Sequence, residues 1–324
     1  MHPAVLTTLL ALCQSCQRPE SPPQPLVGSA APTQSSVIAT LTRPTAAALS
    51  ADGKTLYVLA QDDADAYQLY SGAVGGALSV VPTSQPLAYP VALAVRREGQ
   101  ELFIADLGAS DATSPSGVLY RSTTSGALTG LAGSVLQAPT ALALATDDQS
   151  LYVTARDAQT GEPGVWQIAI ADGVPTRLYQ GPPLAQPLAI AQTQDGSVYV
   201  ADAQGSSLGT GALFRIAAGQ ALAVSKSPLA LTFPSGLCAA GRPTADLLLS
   251  TPLLTGTEPW LLRMSPSGAQ DPVVLPNATE VTSISRAADA DLWVAIDAVI
   301  PAAAADADPQ ALERPQGHVL LLAP

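Results

Sequence analysis

Residues Pro187–Asp202 read PLAIAQTQDGSVYVAD. A Pro opens a run of small and aliphatic residues, Asp195-Gly196 marks a tight turn, and Val198-Tyr199-Val200 continues as a second strand. The same unit recurs along the chain. Pro44–Ala60 is PTAAALSADGKTLYVLA, Pro90–Asp106 is PVALAVRREGQELFIAD, and Pro139–Ala155 is PTALALATDDQSLYVTA. Two more divergent copies begin at Pro234 (PSGLCAAGRPTADLLLS) and Glu280 (EVTSISRAADADLWVAID). The starts at 44, 90, 139, 187, 234 and 280 are spaced by 46, 49, 48, 47 and 46 residues, a period that marks a repeat architecture.

Each copy continues with a third strand after a variable loop, for example Gly117–Arg121, Gly164–Ile168, Gly211–Ile216 and Pro259–Arg263. A weaker fourth follows, such as Ala127–Leu131 or Val273–Leu275. No long window carries a helical period of 3.6. Four antiparallel strands per unit, repeated radially, make an all-β, six-bladed β-propeller. The first strands are rich in Ala, as strands lining a crowded axis require, and Tyr57, Phe103, Tyr152, Tyr199 and Trp293 supply one aromatic per blade for packing between blades. The sixth unit reaches a third strand, Gly317–Ala323, and its fourth is expected from Val37–Thr42 at the other end of the chain. The ring would then be closed by the N-terminal strand pairing with the last blade.

Composition narrows the function classes. Of 324 residues, 47% are apolar, which excludes global disorder. Fourteen Lys and Arg stand against 26 Asp and Glu, a net charge of -12, so a phosphate backbone finds no basic surface and nucleic-acid binding is not expected. Ahead of the repeats, Pro3–Leu12 is an apolar run too short to span a bilayer but suited to an export signal. Leu10-Ala11-Leu12-Cys13 resembles a bacterial lipobox, with Cys16 the other candidate for lipidation. Residues 1–16 therefore read as an export signal, 17–36 as a Pro, Ser and Gln-rich tether, and 37–324 as the propeller. The alternative is a cytosolic chain with a disordered N-terminus. The expected location is the bacterial cell envelope, periplasmic or surface, or otherwise secretion. Contact with a membrane would come only through the lipid, and a monomer is expected.

The carboxylates after the second strands are the candidate site. Asp62, Asp106, Asp157, Asp202 and Asp297 come from five blades, and Asp63 follows in the first. Two carboxylates ~8 Å apart repel by ~2 kcal/mol at an effective dielectric near 20, so a converging ring would favour a cation. Oxygen ligands favour Ca²⁺ or Mg²⁺. The candidate ligands are Asp106, Asp202, Asp297 and Glu280, which stands where other blades have Pro, while Asp62, Asp63 and Asp157 belong to the ligand-facing loops. The alternative is that each Asp caps its own loop by accepting backbone N–H bonds. Gly205–Gly209 matches G-x-S-x-G, yet a strand is expected after it where a nucleophile elbow needs a helix. Cys238, in a first strand, reads as a buried thiol, and Arg121, Arg215 and Arg263 recur at one blade position with solvent-facing or loop-pairing roles.

These units resemble the NHL and SMP-30/gluconolactonase-like six-bladed propellers, whose blades read P-x-G-[IL]-A, then LYVAD, then G-x-[IL]-x-R. Pro187–Asp202 with Gly211–Ile216 (GALFRI), and Pro90–Asp106, carry the likeness, which extends over 37–324. The resemblance implies the fold, and for its lactonase branch a divalent metal held by Glu, Asn and Asp in the channel. Asn277 and Glu280 are the residues here that resemble that set in type. Because one fold hosts many activities, two readings follow. The first is a scaffold that binds a protein or small-molecule ligand on its loop face, around Asp106, Asp202 and Asp297. The alternative is a metal-dependent lactonase or hydrolase of SMP-30 type. The long loops Leu107–Ser116 and Asp297–Gln316, the latter with Asp306 and Asp308, are where specificity would lie.

Overall fold

The computed structural model describes residues 31–98, 101–111, 116–207, 209–231, 233–241, 245–251, 260–276, 278, 280–298 and 316–324. Cys13, Cys16, Asn277, Asp306, Asp308 and most of the 17–36 tether lie outside them. Among the described residues the chain is all-β, with one short 3-10 turn at Gly133–Val135. No helix among them is long and apolar enough to cross a membrane.

Four repeats form separate four-stranded antiparallel sheets. The second repeat contributes β5 (Pro90–Val95), β6 (Glu101–Asp106), β7 (Val118–Thr123) and β8 (Leu128–Leu131). The third contributes β9 (Leu136–Leu144), β10 (Ser150–Asp157), β11 (Pro163–Ala169) and β12 (Pro175–Gln180). The fourth has β13 (Pro187–Gln192), β14 (Val198–Asp202), β15 (Ala212–Ala217) and β16 (Gln220–Ala223). The fifth has β17 (Leu237–Ala239), β18 (Leu247–Thr251), β19 (Trp260–Met264) and β20 (Gln270–Val274).

The first and last repeats share one seven-stranded sheet through β1 (Gln34–Leu49). The first half of β1 pairs with β23 (Gln316–Ala323), from Gln34 opposite Ala323 to Thr42 opposite Gln316. Its second half pairs with β2 (Thr55–Gln61), Ala46 facing Leu59 and Leu49 facing Leu56. β3 (Tyr67–Ala73) and β4 (Ser79–Val81) complete that side, and β21 (Val281–Arg286) and β22 (Trp293–Ala298) the other. The two strands expected over 37–42 and 46–49 are thus one, irregular between Thr42 and Ala46, where Arg43 takes a positive φ of 41°. The strand also begins at Gln34, ahead of the expected Val37, because Ser35 and Ser36 pair with Leu322 and Leu321.

First strands of successive repeats touch in the order β1, β5, β9, β13, β17 and β21, and β21 touches β1. Apolar clusters fill the junctions. Tyr57 packs with Leu102 and Ile104, Phe103 with Leu151 and Val153, Tyr152 with Val198 and Val200, and Tyr199 with Leu247 and Leu249. Leu248 packs with Trp293 and Ala295, and Val294 and Ile296 pack with Leu56 and Val58. Each such side chain contributes roughly 1.5–3 kcal/mol on full burial. The aromatics pack between units as expected, with one shift. Arg286 faces Trp293 where Val95 faces Leu102, so Trp293 occupies the Leu102 position. Its ring enters the junction from the sixth unit, opposite the Leu248 of the fifth.

Candidate functional site

At the end where second strands finish, the carboxylates fall into two kinds. Strand register sets them apart: Ala92 faces Ala105 and Ala189 faces Ala201, so Asp106 and Asp202 follow at equivalent positions. In the first and third units Ala46 faces Leu59 and Ala141 faces Thr154, which puts Ala60 and Ala155 at that position. Asp62 and Asp157 lie further along, in the turns.

Asp106 is fully buried and accepts four backbone N–H bonds, from Ala88 (2.8 Å), Tyr89 (2.7 Å), Gly108 (3.1 Å) and Ala109 (3.1 Å). It ties the link entering its unit to the loop leaving it. Asp202, equally buried, accepts from Ala185 (2.8 Å), Gln186 (3.0 Å) and Gln204 (2.9 Å). Asp297 is buried likewise, accepts the Glu280 N–H, and has His318 Nδ1 at 3.9 Å. Glu280 precedes the residue expected: Val281 pairs with Asp297 as Pro90 pairs with Asp106, so Val281 holds the Pro position and Glu280 the place of Tyr89 and Gln186.

The turn carboxylates serve their own loops. Asp62 accepts from the Ala64 and Ala66 N–H groups and from Gln68 Nε2. Asp157 accepts from Gln159 and Thr160; the Thr160 N–H foremost holds its carboxyl below the ordinary range, against the opposing effect of burial. Asp63 is exposed.

Lone pairs directed at N–H donors are not directed at a cation, and Ca²⁺ or Mg²⁺ needs several oxygens converging on one point. Among the described residues no group of three or more His, Cys, Asp or Glu is placed to hold a metal. The fold thus spreads Asp106, Asp202 and Asp297 over three loop junctions, each accepting backbone N–H bonds there.

A feature that sequence reasoning missed spans the same end. Tyr67 and Tyr89 meet edge to face at 5.9 Å, and Tyr89 meets Phe233 at 6.4 Å. Tyr89 precedes the first strand of the second unit and Phe233 that of the fifth, three units on. Burial, then the neighbouring Tyr89, raises the Tyr67 phenol. Three aromatics so far apart in sequence leave no local signal.

Behind them runs a cavity of about 220 Å³ lined by the first strands, including Ala47, Ala92, Ala141, Ala189, Gly236 and Ser283. At the opposite end, where first strands turn into second, its lining becomes polar: Arg97, Thr146, Asp148, Gln192, Gln194 and Arg286. Ion pairs gather at this turn end. Arg96 bonds Glu101 and Asp148 (3.2 Å), Arg97 reaches Asp289 of the sixth unit (3.3 Å), and Arg286 bonds Asp291 (2.8 Å). Arg121 pairs with Glu101 of the neighbouring strand (3.1 Å) and Arg263 with buried Asp246 just ahead of its neighbouring strand (2.7 Å), while Arg215 is exposed. Cys238 lines the cavity as a buried thiol, pushed up to about 12 by desolvation.

No family model and no curated protein matches this chain. Among solved structures it is similar to a gluconolactonase from Xanthomonas campestris, at 15% identity over 94% of this chain and 99% of that one, with a TM-score of 0.60. The PQQ-bound aldose sugar dehydrogenase of Streptomyces coelicolor gives 14%, 91%, 99% and 0.60. The calcium-binding protein regucalcin of Agrobacterium tumefaciens strain C58 gives 16%, 91%, 93% and 0.57. The chain has the propeller fold of these SMP-30/gluconolactonase-like proteins.

Proposed function

We propose that this chain is a six-bladed β-propeller, closed through β1, that acts as an exported binding module and presents its loop face to a protein partner. The cyclic contacts of the first strands, and a packed junction between the sixth unit and the first, support the closed ring. The observation that carries the function is the loop end of the axis. Its buried carboxylates are engaged by backbone N–H groups, and Tyr67, Tyr89 and Phe233 occupy the space over the first strands. That leaves an aromatic surface with polar loops around it, the composition of a protein contact. A lipid on Cys13 or Cys16 would hold the monomer at the bacterial envelope.

The rival reading is a Ca²⁺- or Mg²⁺-dependent lactonase, supported by the fold shared with the gluconolactonase and regucalcin. Calorimetry of the full chain with both ions, together with a lactone hydrolysis assay, separates the two. The binding module predicts no saturable heat up to millimolar metal and no hydrolysis. Micromolar binding lost in Glu280→Gln, with turnover, would establish the lactonase instead. Labelling with radioactive palmitate in a bacterial host tests the anchor: incorporation should vanish in Cys13→Ser or Cys16→Ser, and no incorporation in the parent chain would remove it.

A further inference from the structure

We propose that the axial cavity binds a small monocarboxylate with an alkyl or aryl body, entering from the turn end. This site lies on the opposite side of the ring from the loop face and does not depend on what that face binds.

The shape of the lining points to the entrance. At the loop end it stops at Val91, Thr140 and Ser235, beyond which Tyr89 and Phe233 meet. At the turn end it continues past the strands to Arg97, Asp148 and Gln194. A cavity of about 150 Å³ accommodates benzene, so the 220 Å³ here suits a molecule of roughly ten non-hydrogen atoms. The walls along the first strands carry alkyl side chains of Ala, Leu, Ile and Val, while polar groups make up about as much of the lining surface. Burial of Cys238 pushes its thiol up to about 12 and keeps it protonated, so binding there involves no covalent step.

The polar groups at the turn end select the head of the ligand. Gln192 is already used, its Oε1 accepting from the Thr146 N–H (2.7 Å) and its Nε2 donating to Gly196 O (3.2 Å). Asp148 accepts from Arg96 Nε (3.2 Å) and from the Arg97 N–H (2.9 Å), which neutralises it. Arg286 differs. Its side chain is only 11% exposed and lies over the Trp293 ring at 5.9 Å. One terminal nitrogen bonds Asp291, which is 66% exposed and solvated, while the buried Nε donates to no protein atom. A solvated partner matches the guanidinium charge only in part, and a carboxylate meeting the guanidinium where Arg286 lines the cavity would complete it. Arg97 stands at the same mouth, paired with Asp289 (3.3 Å) in an ion pair that is exposed on both sides.

Octanoate and 1-octanol are the probes, matched in length and differing in the head. Calorimetry of the full chain should give saturable octanoate binding at least tenfold tighter than octanol. Arg286→Met should remove that preference, leaving octanol unchanged, and Ala191→Leu, which fills the cavity, should weaken both. Stopped-flow measurements should show an altered octanoate association rate in Arg97→Ala and an unaltered one in Tyr89→Ala. No saturable octanoate heat, equal affinity for the two probes, or binding indifferent to Ala191→Leu would each overturn the site. The reverse pattern of rates would overturn the entrance. Should Arg286→Met not fold, the probe comparison on the parent chain and Ala191→Leu still decide.

Discussion

The two ends of the axis neutralise charge by different means. At the loop end, Asp106 and Asp202 are surrounded by main-chain N–H groups of their own loops. At the turn end, carboxylates meet guanidinium groups from other strands and other units, as Arg96 meets Asp148 and Arg97 meets Asp289. Backbone donors are fixed by the fold and indifferent to salt, so the loop end is a rigid platform. Side-chain pairs can separate and re-form around a ligand, and the exposed ones are screened by salt. A binding surface built on the first kind keeps its shape, whereas a mouth built on the second can admit something.

The largest test of this contrast removes a buried carboxylate. Asp106→Ala strands N–H donors in a dry junction and should lower unfolding free energy in urea by on the order of 4 kcal/mol. Asp157→Ala, in a solvated turn, should cost about 1 kcal/mol or less. Equal losses would erase the distinction between the two kinds of carboxylate. At the turn end, Arg263→Met leaves Asp246 buried without its partner and should cost about 3 kcal/mol, with much of it recovered in Arg263→Met/Asp246→Leu.

Between the ends, Gly236→Ala measures how tightly the first strands crowd. A Cβ there would meet Ile284 N at 2.2 Å and Ser283 C at 2.8 Å, so a loss of about 2 kcal/mol is expected in the same urea titration. The turn carboxylates give a smaller effect through pH. The Thr193 hydroxyl and Ser197 N–H hold Asp195 below the ordinary aspartate range, against a weaker effect of burial. A carboxyl depressed in the folded state contributes stability that is present above the unfolded value and lost as pH falls through the folded one. Asp195→Asn should therefore be less stable than the parent at pH 7, and the gap should close in acid. A gap unchanged down to pH about 2 would refute the assignment. Smallest of all, Arg97→Gln breaks a pair exposed by 40% and 50% and should change stability by less than about 1 kcal/mol.

The repeats were legible because each strand pair is local: a Pro entrance, a turn and an alternating strand lie within about seventeen residues, and their order is their pairing. The site was less legible because register matters by single residues. Asp106 and Asp202 follow Phe103 and Tyr199 by three, whereas Asp62 and Asp157 follow Tyr57 and Tyr152 by five. That spacing was present in the sequence and distinguishes the two kinds of carboxylate. Glu280 and Trp293 were each displaced by one position for the same reason, since the sixth unit lacks the Pro that aligns the others. The encounter of Tyr89 with Phe233, and of Arg97 with Asp289, joins units distant in the chain, and no periodicity encodes it.

β1 has a mechanical consequence. Tension applied along the strand from residues ahead of Gln34 falls on the eight register pairs with β23 together, as shear, before it reaches the rest of the molecule. Past Thr42 the same strand passes into its pairing with β2, so a load entering at one point is divided between the last and the first repeats of one sheet. A pull arriving from the N-terminal side would therefore be met by the last and first repeats together.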